Sequence, residues 1–243
     1  MLAEKYAIDG FCLLENAFDA DFLFGVRQEI LLPFSAMIGK SASDEDLYLM
    51  FEESFDDFLS CSKISHQVPS LHGLGVSKPL LDFAKDVGIA FPVINTRPVL
   101  LFSSPRLARH HFYWKSRPHQ DAAIMLGSPD AVVFWMPLCA IEESYGYLEV
   151  IPGSHLGQTL SHKRCGPTYE IDSDIADEQF VRVPMRFGDV LAFSSNLIHR
   201  SGHNSSGLVR LTVSYRFDNL LNIKYMAEKY PLGFEYVMKG KRD

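Results

Sequence analysis

Two histidines and one aspartate in the second half of the chain have residue types and spacing that suit a metal site. His119 and Asp121 are separated by one residue, and His199 follows eighty residues after His119. On a β-strand, residues i and i+2 point to the same face, so these two side chains would lie side by side. A neighbouring strand could add the imidazole of His199. Two histidines and one carboxylate on one face of a metal leave the opposite positions open, which suits non-haem Fe(II) in oxygen chemistry.

One His–x–Asp triplet is weak evidence by itself, because the chain has nine histidines and 30 acidic residues. The sequence that follows adds a second feature: the run DVLAFSSNLIH ends at His199, and the next run, LVRLTVSYRF, carries Arg210. Alternation along this run gives one face a polar row made by Arg210, Thr212, Ser214 and Arg216. The opposite face is apolar, with Leu211, Val213, Tyr215 and Phe217. A polar row on such a strand indicates either a wet interior or an exposed face.

The secondary structure that must position these residues is predicted to change from helical to β-rich near residue 90. Residues 1 to about 90 have mainly helical periodicity, whereas a β-rich core from about 91 to 220 contains short runs separated by turn residues. A C-terminal extension covers about 221–243. Many short strands after a helical segment predict an antiparallel barrel or jelly roll with helices packed outside. With no linker or repeat visible, we expect one domain over 1–243.

Two helix starts can be placed from capping residues. Asp19 and Asp21 precede the apolar run FLFGVRQEILLPF, and Ser43 and Asp44 open the run SDEDLYLMFEESFDDFLS. The second run has apolar residues at helical spacing, which predicts one continuous helix. The apolar stripe of that helix consists of Leu47, Met50, Phe51, Phe55 and Leu59.

The composition of the chain argues against some classes of binding partner and indicates a cellular compartment. The net charge of −7 argues against broad nucleic-acid binding, which needs clustered Lys and Arg. Four cysteines without a CxxC pair are typical of a reducing compartment. Glu4 and Asp9 interrupt any secretory leader, and the longest uncharged apolar stretch, 131–141, is too short to span a bilayer. We therefore expect a soluble cytoplasmic protein that binds neither nucleic acid nor membrane.

Three segments resemble the phytanoyl-CoA dioxygenase family of Fe(II)/2-oxoglutarate oxygenases. They are HQDAAIMLGSPDAVVFWMPLCAIEESYGYLEVIPGSHLG, FGDVLAFSSNLIHRSGHNSSGLVR and, near the start, YAIDGFCLLENAF. The ordered set HQD, PGSH, FGD, HxSGxN and an Arg eleven residues after the distal His is specific to that family. The resemblance covers most of the chain, although about 25–90 matches loosely. It implies a double-stranded β-helix with N-terminal helices packed on one sheet.

The resemblance also implies roles for individual residues. His119, Asp121 and His199 would be the catalytic iron ligands, and Arg210 would hold the distal carboxylate of 2-oxoglutarate with Ser201 as a second donor. A guanidinium suits that task because its planar fork pairs with a carboxylate and stays charged. Trp135 lies near a family position that contacts the cosubstrate, but filling the barrel core is an equal alternative for this side chain.

One position departs from the family pattern. Many members have a Lys before a Pro ahead of the His–x–Asp strand, whereas this chain has Ser104 before Pro105. If that Lys helps to bind the cosubstrate, another group must replace it, and the candidates are Arg106, His111 and Tyr113.

The function that the resemblance implies requires Fe(II), 2-oxoglutarate and O2. It is hydroxylation of a C–H bond of a small-molecule metabolite, with release of succinate and CO2. Related halogenases have a small residue at the carboxylate position, so Asp121 favours hydroxylation, while desaturation, ring closure and epoxidation stay open. Two alternatives are a zinc hydrolase on a cupin-like fold and a non-catalytic binding module. The first gives Arg210 no obvious task, and the second has no need of this ligand set.

Other polar residues bear on the substrate and on the remaining histidines. No basic cluster is visible that would grip the phosphates of coenzyme A. Four residues instead predict a polar or anionic small molecule as substrate: Asn95, Arg97, Tyr113 and Arg216. We expect His155, within PGSH, to hold a turn and His203 to lie in a tight turn as a non-ligand.

Overall fold

The N-terminal third of the chain forms a helical layer whose helices begin where their capping residues predict. The computed structural model describes residues 2–107, 116–165 and 168–231. Asp19 accepts hydrogen bonds from the backbone N–H groups of the first turn of one helix, and Ser43 and Asp46 form a capping box at the next. The helices are α1 Leu2–Asp9, α2 Ala20–Ile38, α3 Asp44–Glu53, α4 Phe55–Ser65, α5 Pro69–Gly75, α6 Lys78–Asp86, α7 Ala122–Met125 and α8 Ile223–Ala227.

The prediction of one continuous helix after Ser43 is wrong. The run breaks at Ser54, which leaves the helical region with φ −141° and ψ 62° and separates α3 from α4. The break allows an aromatic cluster, because the ring of Phe51 meets those of Phe55 and Phe58 edge to face at centroid distances of 5.1 and 5.2 Å. Such pairs contribute beyond their buried area. Packing therefore outweighs the helical periodicity of the run.

The rest of the described chain is mainly antiparallel sheet. Its larger sheet has the order β1-β9-β4-β11-β2, with β3 also paired to β11, and its smaller sheet has the order β10-β5-β8. A separate hairpin joins β6 to β7. The strands are β1 Phe11–Leu14, β2 Pro92–Ile94, β3 Val99–Ser103, β4 Val132–Pro137, β5 Leu148–Val150, β6 His162–Cys165, β7 Thr168–Ile171, β8 Val181–Arg182, β9 Val190–Ser194, β10 His199–Ser201 and β11 Arg210–Asn219.

The two faces of the larger sheet pack against different partners. Its outer face carries Phe134 and Val213 and packs with Phe34, Phe58 and other residues of the helical layer in one large apolar core. Its inner face packs against the smaller sheet in a second core, which consists of Phe11, Val133, Trp135, Ile141, Leu148, Val150, Val183, Met185, Leu191, Phe193 and Leu197. Two sheets around a shared interior form the double-stranded β-helix that the sequence predicts.

The alternation predicted along β11 is present, and it resolves the two alternatives for its polar row. Ser214 lies opposite Trp135 and Arg216 lies opposite Val133, so these polar side chains share the inner face of the sheet. Arg210 and Ser214 are buried. The row thus lines the interior of the β-helix.

The β6–β7 hairpin was not predicted, because its strands HKRC and TYEI are too polar to give an apolar alternation. Among the residues described, no helix combines the length and the apolar character needed to cross a bilayer.

Candidate metal centre

The two candidate ligand histidines are brought together by their own backbones. His119 and His199 form an antiparallel bridge in which each N–H donates to the carbonyl of the other, both at 3.0 Å. Residues paired in this way project their side chains to the same face, and the two imidazole centroids lie 4.2 Å apart. The pairing of residue 119 with the start of β10 therefore sets the spacing of two metal donors.

Asp121 reaches the same place by a route that differs from the one predicted. Its backbone is in the right-handed helical region, with φ −59° and ψ −34°, and it precedes α7 instead of sharing a strand with His119. The turn is fixed because the Ala122 N–H donates to the Ser195 carbonyl at 2.8 Å. The ligand atoms of His119, Asp121 and His199 lie within 4.8 Å of one another. The expected grouping is present, although alternation along a strand is not what produces it.

Both imidazoles have a fixed tautomer that leaves Nε2 free to bind a metal. Nδ1 of His119 lies 2.7 Å from the Arg117 carbonyl, and Nδ1 of His199 lies 2.9 Å from the Leu197 carbonyl. A carbonyl can only accept, so each Nδ1 carries the proton and each Nε2 presents a lone pair. Backbone carbonyls commonly orient metal-ligating histidines in this way.

Burial and neighbouring charges keep all three groups in the protonation states that a cation requires. Burial and the adjacent imidazole lower the pKa of His199 to about 3, and burial also lowers the pKa of His119. Burial alone would raise the pKa of Asp121, but the adjacent Arg216 guanidinium holds it below its usual value. Two neutral imidazoles and one carboxylate at neutral pH form the donor set of a facial triad. The residues present therefore fit a divalent metal such as Fe(II).

Gln120, between the two ligand candidates, is a structural residue whose role was not predicted from the sequence. Its buried amide donates to the carbonyl and the side-chain oxygen of Asn196 at 2.8 and 3.0 Å and accepts from the Leu160 N–H at 2.8 Å. Its backbone N–H donates to His162 Nε2 at 3.0 Å. Gln120 thus links the ligand turn to the segment that leads into His199. The position of Gln120 between His119 and Asp121 was the sequence feature that could have indicated this role.

Arg216 contacts the candidate metal ligand directly. Its Nε and Nη2 atoms both lie 2.9 Å from Oδ2 of Asp121, and its Nη1 donates to Ser214 Oγ at 3.1 Å. Arg216 and Asn95 were both predicted to contact the substrate. Asn95 in turn donates to the buried Asp218 at 2.7 Å. Both side chains therefore already have protein carboxylates as partners.

Arg210, at the other end of β11, is in a different environment. It is 3 % exposed, and its Nη1 donates to the carbonyls of Tyr145 (3.0 Å) and Gly146. Its Nη2 donates to Ser103 Oγ at 3.3 Å, whereas its Nε is buried without an acceptor among the described residues. Burial lowers the pKa of Arg210 to about 10. A buried guanidinium with neutral partners and an unused N–H is suited to binding an anionic ligand.

The other two residues predicted to bind cosubstrate, Trp135 and Ser201, are both buried in the β-helix. Trp135 packs in the inner core, as its alternative role predicted. The hydroxyl of Ser201 lies 2.7 Å from that of Ser116, which also accepts from the Ser201 backbone N–H at 2.9 Å. Roles for both residues in cosubstrate binding remain predictions.

Of the three residues that could replace the family lysine, the structure describes only Arg106, which lies at the surface. Ser104 is buried 2.9 Å from the hydroxyl of Tyr48, which belongs to the helical layer. Arg106 pairs with Glu45 at 2.6 Å and stacks on the Tyr48 ring at the surface. His111 and Tyr113 lie outside the described residues.

His155 lies in a turn as expected, whereas the chain at His203 is irregular and does not form the expected tight turn. His155 lies in a 3-10 turn, with Nε2 3.2 Å from the Ala7 carbonyl. His203 is exposed. Among the described residues, neither belongs to the cluster of potential metal ligands.

Solved structures with the same architecture define the class of fold. SnoK, described as a non-heme alpha ketoglutarate dependent carbocyclase from nogalamycin biosynthesis, superposes with a TM-score of 0.62 at 15 % identity, covering 96 % of this chain and 90 % of SnoK. The epimerase SnoN, in complex with Fe3+, alpha ketoglutarate and nogalamycin RO, gives a TM-score of 0.61 at 18 % identity, covering 90 % and 82 %. These likenesses confirm the double-stranded β-helix.

Sequence comparison finds similarity to one family. The model of the family described as Phytanoyl-CoA dioxygenase (PhyH) matches residues 101–212, a stretch that includes the candidate triad and Arg210. Phytanoyl-CoA dioxygenase domain-containing protein 1 of Mus musculus is 27 % identical, with 84 % of each chain covered. Phytanoyl-CoA dioxygenase 1 of Oryza sativa subsp. japonica is 26 % identical, covering 71 % of this chain and 66 % of the rice protein. Over residues 101–212 the chain is therefore similar to the phytanoyl-CoA dioxygenase family.

Proposed function

We propose that this chain is a non-haem Fe(II)- and 2-oxoglutarate-dependent oxygenase, with residues 1–243 as its single domain. It hydroxylates a C–H bond of a small-molecule metabolite and releases succinate and CO2. The observation that carries the proposal is the triad of His119, Asp121 and His199, whose ligand atoms lie within 4.8 Å of one another, with Asp121 and His199 buried.

The triad would hold Fe(II) through Nε2 of each histidine and one oxygen of Asp121. Both imidazoles are neutral and have Nδ1 hydrogen-bonded to a backbone carbonyl, so they need no rearrangement to present Nε2. Two imidazoles and one carboxylate bind one face of the metal and leave positions for small ligands. When bound, ferrous iron with 2-oxoglutarate supplies the activation of O2 and the oxidation of a C–H bond.

Arg210 would bind the distal carboxylate of 2-oxoglutarate. Its buried Nε has no acceptor among the described residues, so a dicarboxylate would give this donor a partner and would offset the burial of the positive charge. In the proposed arrangement Ser201 adds a hydroxyl donor, and Trp135 forms part of the wall beside the cosubstrate. The apolar inner core excludes water around this site.

Asp121 also bears on the type of reaction. A carboxylate at this position fills the third protein ligand site, which a halogenase leaves open for chloride. Because Asp121 is buried and held by Arg216, the side chain does not vacate that site. Hydroxylation is therefore the reaction that we propose.

The test starts from chelator-treated protein that is reloaded with Fe(II) and supplied with 2-oxoglutarate, ascorbate and air. We expect succinate to form and its yield to increase with a panel of polar and anionic metabolites. The oxidised metabolite should carry a hydroxyl whose oxygen comes from O2, and the other oxygen atom should enter succinate. Asp121→Ala should reduce succinate to the metal-free background, whereas Arg182→Met, at the exposed pair with Glu143, should not. Absence of succinate, combined with ester hydrolysis by the Zn2+-loaded protein, would instead establish the hydrolase.

A further inference from the structure

Asp121 has two carboxylate oxygens in different environments. Oδ1 lies 3.6 Å from Nε2 of His119, on the side of the metal donors. Oδ2 lies 2.9 Å from both Nε and Nη2 of Arg216. One oxygen therefore faces the site and the other receives a forked guanidinium. Two charged donors that converge on Oδ2 hold this oxygen on the arginine side and leave Oδ1 facing the metal donors.

Arg216 is itself held in place. Its Nη1 donates to Ser214 Oγ at 3.1 Å on the same face of β11, and its carbonyl accepts from the Asn95 N–H at 3.0 Å. The arginine side chain is 14 % exposed and that of Asp121 is 4 % exposed, so the pair is largely shielded from water. Weakening by solvent is therefore small compared with that of a surface ion pair.

A second buried carboxylate nearby has its own donors. Asp218 lines the same small cavity as Asp121 and Arg216. Its Oδ1 accepts from the Ser128 N–H at 2.9 Å, and its Oδ2 accepts from Asn95 at 2.7 Å and from the Tyr225 hydroxyl at 3.2 Å. These neutral donors satisfy Asp218, and Arg216 makes its fork with the carboxylate of the candidate metal site.

We infer that Arg216 is a positioning residue for the metal centre: it holds Asp121 so that only Oδ1 is presented to the metal. This inference rests on the proposed function, because it assigns a role toward the metal of the triad. It reassigns Arg216, since the side chain acts through Asp121 and makes no contact with substrate in this role. Loss of the fork would free the carboxylate to rotate and to offer both oxygens.

The positive charge of Arg216 should weaken metal binding, whereas its positioning of Asp121 should strengthen it. The two effects can therefore be separated by experiment. A positive charge beside a metal ligand disfavours a divalent cation, so removing that charge would strengthen binding if charge alone mattered. Arg216→Lys keeps the charge but replaces the fork with a single ammonium. Arg216→Met removes both the charge and the fork. Comparing the two variants distinguishes orientation from charge.

The experiment measures Co(II) binding to the full-length protein by titration and by visible absorption, which reports the coordination of the bound ion. We expect both variants to bind Co(II) about 10–100-fold more weakly than the wild type, the range seen when partners of metal ligands are removed. The absorption spectrum should change in both. Arg200→Met is the matched control, because Arg200 is similarly shielded and paired with Glu149 at 2.6 Å without touching the triad.

Thermal unfolding of the metal-free variants, compared with that of Arg200→Met, separates a folding defect from a local one. The inference is overturned if Arg216→Lys binds Co(II) like the wild type with an unchanged spectrum, or if Arg216→Met binds more tightly. If the wild type binds no metal at the triad and forms no succinate, the proposed function itself fails. Wild-type metal binding and succinate formation, combined with unaffected Arg216 variants, would refute the positioning role alone.

Discussion

The two ends of β11 carry the same residue on the same face in contrasting surroundings. Arg216 directs two nitrogens to one oxygen of Asp121, whereas Arg210 donates to neutral carbonyls and a hydroxyl and keeps a buried Nε without a described acceptor. The first guanidinium has its anion within the protein. The second is suited to an anion from outside. In this interior the partner, and not the residue type, distinguishes a positioning arginine from a ligand-binding one.

The largest expected effect comes from removing the carboxylate that Arg216 holds. Asp121→Ala deletes one of three metal donors and leaves Arg216 without its anion, so we expect succinate formation to fall to the metal-free background. Co(II) titration of the same variant checks that the loss lies in metal binding. If Asp121→Ala kept the Co(II) affinity of the wild type, the arginine at the Arg216 end of β11 would not be holding a metal ligand, and the contrast with Arg210 would fail.

The next effect separates the arginines by cosubstrate. Arg210→Met should raise the KM for 2-oxoglutarate roughly 30-fold or more, since losing one partner of a buried charge pair costs about 2–5 kcal/mol. Arg210→Lys should recover part of this loss because it keeps the charge without the fork. Arg216→Lys should leave that KM near the wild-type value. Equal effects of Arg210→Lys and Arg216→Lys on KM would mean that the two ends are not specialised.

Acid should destabilise the protein through the residues of the metal site, whereas the charge of Arg210 should not change. The pKa of His199 is lowered to about 3 in the fold, so the unfolded chain takes up this proton first as pH falls below about 6.5. The associated stability is fully present above that pH and is lost progressively toward pH 3, by at most about 1.4 kcal/mol per pH unit for one proton. The lowered pKa values of His119 and Asp121 act in the same direction. Arg210, with a pKa of about 10, stays charged throughout.

Denaturant unfolding of the metal-free protein between pH 7 and pH 4 measures this slope. His199→Gln should flatten it, whereas His203→Gln, which replaces an exposed histidine, should not. A wild-type slope in His199→Gln would show that the buried imidazole is not the group responsible.

The smallest effect is expected outside the β-helix. Tyr48 belongs to the helical layer, and its hydroxyl donates to the Gly207 carbonyl at 2.8 Å and lies 2.9 Å from Ser104 Oγ. Tyr48→Phe should lower the free energy of unfolding by about 1 kcal/mol, the usual contribution of one hydrogen bond. Neither Co(II) affinity nor the KM for 2-oxoglutarate should change. A shift in either constant would show that the helical layer also tunes the interior.

The elements of the fold that depend on local chemistry could be predicted from the sequence. Alternation along β11 placed Arg210 and Arg216 on one face, and Asp19 and Ser43 marked helix starts that the structure contains. The break at Ser54 could not be predicted, because both of its flanks have helical periodicity and only tertiary packing favours the bend.

The candidate site also has some features that could be predicted from the sequence and others that could not. The identities of His119, Asp121 and His199 followed from motif order and family resemblance, but the turn at Asp121 did not, since a spacing of two residues fits a strand as well as a turn. The fork from Arg216 depends on where β11 lies relative to α7 after the chain has folded. Long-range contacts of this kind leave no periodic signal in the sequence.

The reciprocal backbone bridge between His119 and His199 has a consequence for changes in chain length. One residue inserted next to either histidine would turn its imidazole to the opposite side of the ladder. The β6–β7 hairpin lies between the bridged positions in sequence and forms its own two-stranded sheet. The hairpin is nevertheless tied to the bridge, because the Ile171 N–H donates to the Pro118 carbonyl at 2.9 Å and His162 Nε2 accepts from the Gln120 N–H at 3.0 Å. A change in the length of β6 or β7 would therefore reach the residues on either side of His119.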